Sequence, residues 1–173
     1  MTGRGTAVLI GVLAGLLGYL WLTEIRPRVR ATDPAEPPPL LAVPPAGVAR
    51  VEVETAGARL TAVRHDGAWA DSSGHPWPGD RVADLLSTLE TLRPVMTVDA
   101  DPAAPGDYGL GPGAQTLRVI ATDGQPLLAL EIGDRNPSWT GLYARRNGEP
   151  AVLLLGAILR WEIEKLRDAA PSP

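Results

Sequence analysis

The feature that most constrains this chain is an uncharged apolar run from Thr6 to Leu22, TAVLIGVLAGLLGYLWL. Seventeen residues of α-helix reach about 26 Å, the short end of what crosses a hydrocarbon core of roughly 30 Å. Tyr19 and Trp21 stand at its C-terminal end, where amphipathic rings prefer the headgroup level, and Arg26 and Arg28 can snorkel beyond them. A cleaved signal peptide would have a shorter apolar region ending in small residues. Here the run ends YLWLTEIRPR, with bulky side chains where cleavage needs small ones. The sequence therefore predicts one uncleaved transmembrane helix within residues 1–30. Gly11, Gly15 and Gly18 recur on one face of it. Such small residues let a second membrane helix approach closely, although glycine is also common in membrane helices at large. Arg4 precedes the span and Arg26, Arg28 and Arg30 follow it, so the positive-inside count leans toward a cytoplasmic C-terminus.

Residues 31–47, ATDPAEPPPLLAVPPAG, cannot sustain a helix or a central strand, because proline lacks the N–H that either requires. Extended as polyproline II at ~3.1 Å per residue, they read as a tether with a reach of about 50 Å. Beyond them the hydrophobic period becomes two. Val51, Val53 and Thr55 alternate with charged residues, a second strand runs from Ala58 to His65, and Asp66-Gly67 supplies a tight turn before Trp69. Pro78-Gly79-Asp80 breaks the strands, with Asp80 as the expected N-cap. Val82, Leu85, Leu86, Leu89 and Leu92 then mark one face of a helix that Pro94 stops.

The later part of the chain repeats this order. Leu117, Val119 and Ala121 are answered across Asp123-Gly124 by Leu128, Leu130 and Ile132. Leu142 to Arg146 and Ala151 to Leu155 flank Asn147-Gly148, a strong hairpin signal, and a closing helix from about Gly156 to Ala169 sets Leu159, Ile163 and Leu166 on one face. The expected fold is α+β: antiparallel hairpins with two amphipathic helices on one face, preceded by one transmembrane helix. The domain is expected over residues 48–170, with strand-hairpin-helix halves at 48–94 and 115–168 and a tail at 171–173.

Charge and composition narrow the chemistry. The net charge is −4, yet residues 1–30 carry four arginines against one glutamate, which leaves −7 on the remainder. A domain that acidic is a poor ligand for a phosphate backbone, so nucleic acid is not the expected partner. Cysteine is absent, which removes disulfides, thiolate metal sites and thiol catalysis. His65 and His75 are the only histidines and have no zinc-type spacing, and Asp71 and Asp80 are explained as turn residues. Asp99, Asp101 and Asp107 fail the calcium-loop pattern at its fifth, sixth and twelfth positions, where Ala103, Ala104 and Leu110 stand. Gly109, Gly111 and Gly113 precede strand residues rather than a helix, so they form no phosphate cradle. No catalytic residue, cofactor or metal ligand is marked out. The useful clue is aromatic: Trp77 between two prolines, and Trp139 in Asn136-Pro137-Ser138-Trp139-Thr140-Gly141. Both fall in expected loops, where tryptophan suits a partner contact or a small cluster folded back on its own domain.

Several segments resemble a bacterial family known only as domain of unknown function 4340. They are Asp66-Gly67 before Trp69, Asp107-Tyr108-Gly109-Leu110-x-Pro112, Ile132-Gly133, Leu142-Tyr143-Ala144-Arg145 and Leu166-Arg167-Asp168, together spanning residues 48–168. The tyrosine-glycine-leucine-x-proline piece is the most distinctive. The resemblance implies one N-terminal transmembrane helix in a bacterial inner membrane and a periplasmic domain, often encoded beside ABC-type transport components linked to gliding. It reverses the orientation that the arginine count favours, and it supplies no catalytic or binding residues. The expected function is a non-enzymatic accessory subunit of a larger membrane complex. It would contact the bilayer, other subunits through Gly11, Gly15 and Gly18, and a protein partner through Trp77 or Trp139. The alternative is a ligand- or glycan-binding component working with an ABC-type transporter.

Overall fold

A computed structural model describes Leu13, Leu16, Tyr19 and residues 37–55 and 57–170, in two compact units divided between Glu36 and Pro37. In the first unit Leu13, Leu16 and Tyr19 are helical and exposed. Gly11, Gly15, Gly18 and the rest of the 6–22 run lie outside the described residues, among which no helix is long and apolar enough to cross a membrane.

The second unit is α+β. Strands β1 (Val48–Thr55), β2 (Ala58–His65) and β3 (Ala68–Ala70) lead into helix α1 (Gly79–Thr91) and strand β4 (Met96–Asp99). Strands β5 (Gln115–Ala121), β6 (Pro126–Arg135), β7 (Gly141–Arg146) and β8 (Val152–Gly156) follow, and helix α2 (Ile158–Asp168) closes the chain. The eight strands form one sheet in the order β3-β2-β1-β5-β6-β7-β8-β4, and every adjacent pair is antiparallel. The expected turns form: Asp66 and Gly67 both take positive φ, 50° and 84°, which matches the twist of the β2–β3 hairpin.

Period-two alternation decides which side of the sheet is covered. Val51, Val53, Leu117, Val119, Leu130 and Leu142 are buried in one core with Val82, Leu85, Leu86 and Leu89 of α1 and Leu159, Ile163 and Leu166 of α2. The opposite face carries charged neighbours across strands, Arg59 to Glu54 at 2.8 Å and Arg145 to Glu131 at 2.6 Å. Glu162 shares the inward stripe of α2, being 7% exposed, and Lys165 pairs with it at 2.7 Å while reaching Asp84 of α1 at 3.6 Å.

Three expectations change. Asp80 is not the N-cap: α1 begins at Gly79, Pro78 occupies the cap position, and no side chain caps the helix. Asp80 instead lies in the first turn, where its charge suits the helix dipole. Strand β4 has no counterpart in the sequence reading; it pairs with β8 through Met96–Leu154 and Thr97–Leu153. The proline-rich stretch is not all tether. Leu40 and Leu41 are fully buried, and their N–H groups donate to the carbonyls of Leu92 and Leu89 at 2.9 and 3.0 Å. A helix C-terminus leaves carbonyls unpaired, and this segment satisfies two of them at the end of α1. Arg64 fixes the next stretch by donating to the carbonyls of Pro45 and Ala46, both at 3.2 Å.

The distinctive loop packs as a structural unit. A short 3-10 turn at Pro105–Tyr108 ends in Gly109 at φ 70°, and Leu110 is buried. Tyr108 donates to Asp99 Oδ2 at 3.2 Å and meets Tyr143 edge-on at 5.0 Å. A Cβ at Gly133 would collide with the carbonyl oxygen of Tyr108, and one at Gly109 would collide with Asp134. Both glycines are needed so that the loop can lie against β6.

Candidate functional site

The β6–β7 connection, Asn136 to Thr140, is short and strongly tied. Asn136 Oδ1 accepts from the N–H groups of Thr140 and Gly141, both at 3.0 Å, while its Nδ2 donates to Ser138 Oγ at 2.9 Å and Thr140 Oγ1 at 3.1 Å. Its backbone adds Asn136 N to Gly141 O at 3.0 Å and Trp139 N to Asn136 O at 2.9 Å. An asparagine side chain that satisfies neighbouring backbone in this way replaces ordinary turn hydrogen bonding.

That network holds Trp139 at φ 62° with the residue 69% exposed. Positive φ is rare for a bulky residue, and strain of this kind gathers at sites where the surrounding structure fixes it for a purpose. The Arg135 guanidinium lies 5.1 Å from the Trp139 ring centre, which supports the ring in an outward position. The loop also meets the start of α2, where Ala157 N–H donates to the Thr140 carbonyl at 3.4 Å. From there α2 presents Ile158 and Trp161, 41% and 61% exposed, with Lys165 Nζ 5.5 Å from the Trp161 ring. Sequence reasoning missed Trp161, although it falls off the 159-163-166 stripe and helical geometry turns it outward.

Trp77 corrects its expectation. It is 5% exposed and belongs to the core, because its backbone N–H donates to the Trp69 carbonyl at 2.8 Å and Pro76 bridges to Ala70. The short return of Pro76-Trp77 along β3 draws the ring into the core, so it is not the exposed anchor expected of it. Of the sites read from sequence, the structure thus leaves Trp139 outward and Trp77 inward, and the Gly11-Gly15-Gly18 face lies outside the described residues.

Polar groups considered for chemistry are used locally. Asp71 Oδ1 accepts from the N–H groups of Ser73 and His75, both at 2.8 Å, and its Oδ2 faces His75 Nδ1 at 3.1 Å. Burial works to raise the Asp71 pKa, but the hydrogen bonds from His75 and Ser73 outweigh it and hold the carboxyl below its ordinary value. Asp99 Oδ1 accepts from the backbone N–H of Asp101 at 3.1 Å, and its Oδ2 from the Tyr108 hydroxyl. Among the described residues no three metal-ligating side chains converge.

A family model described as "Domain of unknown function (DUF4340)" matches residues 69–169. No curated protein and no solved structure matches the chain. The match covers more than half of the sequence and takes in the Tyr108 loop, Gly133, the Trp139 loop and α2. The chain belongs to this family.

Proposed function

Proceeding from that membership, we propose that the chain is a non-enzymatic accessory subunit, anchored by one membrane helix, whose outer domain docks a protein partner through Trp139. The observation that carries this reading is the strained, outward Trp139, fixed by Asn136 and backed by Arg135. Large amphipathic rings in prearranged positions are typical anchors of protein interfaces, because little conformational freedom remains to be lost on binding. The Thr6–Leu22 run supports the anchor, and exposed Leu13, Leu16 and Tyr19 at helical spacing agree with a helix that meets apolar surroundings. In this reading the Gly11-Gly15-Gly18 face packs against a neighbouring membrane helix and the domain lies on the periplasmic side of a bacterial inner membrane.

Co-purification in mild detergent followed by mass spectrometry tests the proposal. Trp139→Ala should weaken the outer contact by at least about 1–2 kcal/mol, as loss of an interface anchor does. Gly15→Ile should loosen the membrane contact while leaving the outer domain folded. Purification of the full chain alone, with neither substitution changing what accompanies it, would sink the accessory-subunit reading.

A further inference from the structure

Strands β3 and β4 form the two edges of the sheet, and the chain treats them differently. Along β3 the next segment returns: Asp71 N–H donates to the His75 carbonyl at 2.9 Å, Trp77 N–H to the Trp69 carbonyl at 2.8 Å, and Pro76 bridges to Ala70. Strand β4 pairs with β8 on one side, and on its other side no backbone N–H or carbonyl has a partner among the described residues. Edges left open usually carry lysine, proline or an inward charge that discourages a further strand. Residues 96–99 carry one charge, Asp99, at the far end, whereas Val95 and Met96 at the near end are apolar and exposed, at 67% and 55%. The other large apolar residues exposed in this unit, Trp139, Ile158 and Trp161, gather at that same end. Val95 N–H donates to the Leu154 carbonyl, Gly156 pairs with Gly141 just after the Trp139 loop, and Ile158 follows at the start of α2. Strand β4 stands two strands from β7, roughly 10 Å, which is well inside one interface of about 800 Å² per partner.

We propose that an extended segment of the protein partner adds to the free side of β4 as a further strand, apolar where it passes Val95 and Met96 and basic where it passes Asp99 and Asp101. This rests on the docking role of Trp139 and adds the kind of element that the partner presents. Backbone donors and acceptors at strand spacing are matched by another extended chain, whereas a helix pairs its own. Side chains then set the direction. Asp99 is held by the Tyr108 hydroxyl and the Asp101 N–H, and Asp101 itself is exposed, so a lysine or arginine is favoured at that end. The register shift between Thr97 and Asp99 keeps the new ladder short, so its affinity draws on the apolar side chains beside it as well as on backbone bonds. A second copy of the chain fits less well. Antiparallel pairing of the whole of β4 with itself sets Met96 of each copy against Asp99 of the other, apolar end to acidic end.

The test uses the full ¹⁵N-labelled chain in detergent micelles and the capped peptide Lys-Arg-Thr-Val-Thr-Val, whose antiparallel addition brings its basic end to Asp99 and its apolar end to Val95. The amide resonances of residues 96–99 should move saturably, and the N–H groups on the free side of β4 should exchange more slowly with solvent. Two further peptides, N-methylated at the threonines or at the valines, separate backbone recognition from side-chain contact. Alternate residues of a strand turn their N–H groups to opposite sides, so one of the two should bind roughly tenfold or more weaker and the other should bind as the parent does. Met96→Lys, at an exposed position, should weaken the parent peptide roughly tenfold and leave the unfolding midpoint in place. The N-methylated pair keeps the test decisive should that variant fold poorly. Resonances of 96–99 unmoved by the peptide overturn the proposal, as do two N-methylated peptides that both bind like the parent. A full chain that sediments as a dimer with those amides already protected overturns it too, by assigning the edge to a second copy. The peptide is read at β4 and the docking role of Trp139 by co-purification, so failure of one is distinguishable from failure of the other.

Discussion

At residue 139 the fold accepts a conformation that glycine would take more easily. Left-handed backbone costs an L-residue about 1–2 kcal/mol, from the approach of Cβ to the carbonyl oxygen. Trp139→Gly and Trp139→Ala both remove the ring, but only alanine keeps the strained Cβ. The glycine variant should therefore be the more stable of the two by about 1 kcal/mol in denaturant unfolding, while both lose the partner. Equal midpoints would show that φ 62° carries no strain, and Trp139 would then be an ordinary exposed loop residue. Tyr108 gives a second residue-scale outcome. Burial raises its pKa first, and the Asp99 carboxylate that accepts its hydrogen bond raises it further above the ordinary 10.0. A raised folded pKa means that the stabilisation is complete below the unfolded value and is lost as pH rises through the folded one. The domain should lose stability at strongly alkaline pH, and Asp99→Asn should lower the Tyr108 titration followed by ultraviolet absorbance. If that titration is unchanged, Asp99 is not its partner in solution. The sequence marked Trp139 as a loop aromatic, since Asn-Pro-Ser and the following glycine are turn residues. It could not mark φ, because the strain comes from the Asn136 bonds that close the turn. For Trp77 the same local signal misled. Two flanking prolines suggest an outward loop, whereas pairing with Trp69 carries the ring into the core.

Elements were legible where one period ran long enough. The alternation in β1, β5 and β6 and the three-and-four spacing in α1 and α2 state which side chains face inward, and the structure buries those leucines and valines. Leu86→Ala and Leu89→Ala should each cost about 2–5 kcal/mol, as large-to-small changes at filled core positions do. An unchanged unfolding midpoint for either would contradict the inward face of α1. Strand β4 escaped because Met96 to Asp99 is too short to establish a period, and because its pairing with β8 is distant in sequence. The distinctive Tyr-Gly-Leu-x-Pro piece was visible as a motif but not as a contact. Its partner, Gly133, lies on β6 where the register shifts between Ile132 and Arg135. Gly133→Ala tests that contact. With the Tyr108 carbonyl in the way, the loop or strand must move, at a cost of about 1–3 kcal/mol typical of overpacking. A variant as stable as the unaltered protein would show that the loop can lift from β6 without loss.

For the molecule as a whole, the domain start read from composition, residue 48, falls after two leucines that the structure buries in the domain. Proline content marks where a helix or strand cannot continue, but it says nothing about whether an extended segment is packed. Leu40 and Leu41 are the two large apolar residues in the 31–47 stretch apart from Val43, and burying a leucine stabilises by about 1.5–3 kcal/mol. They also pair two terminal carbonyls of α1, which would otherwise have to turn to water. The compact unit accordingly starts at Pro37. The part of that stretch before its first buried residue is then 31–39. Two shortened chains decide the matter. One beginning at residue 37 should unfold in a single cooperative transition. One beginning at 48 lacks both leucines, and should lose several kcal/mol from a total that for one domain is only about 5–15 kcal/mol. It should show a lower midpoint and early exposure of α1 in hydrogen exchange, because that helix loses its cover and its terminal partners together. If the two chains share one midpoint and one pattern of exchange, Leu40 and Leu41 contribute nothing to the fold. The domain boundary read from composition, at residue 48, then stands.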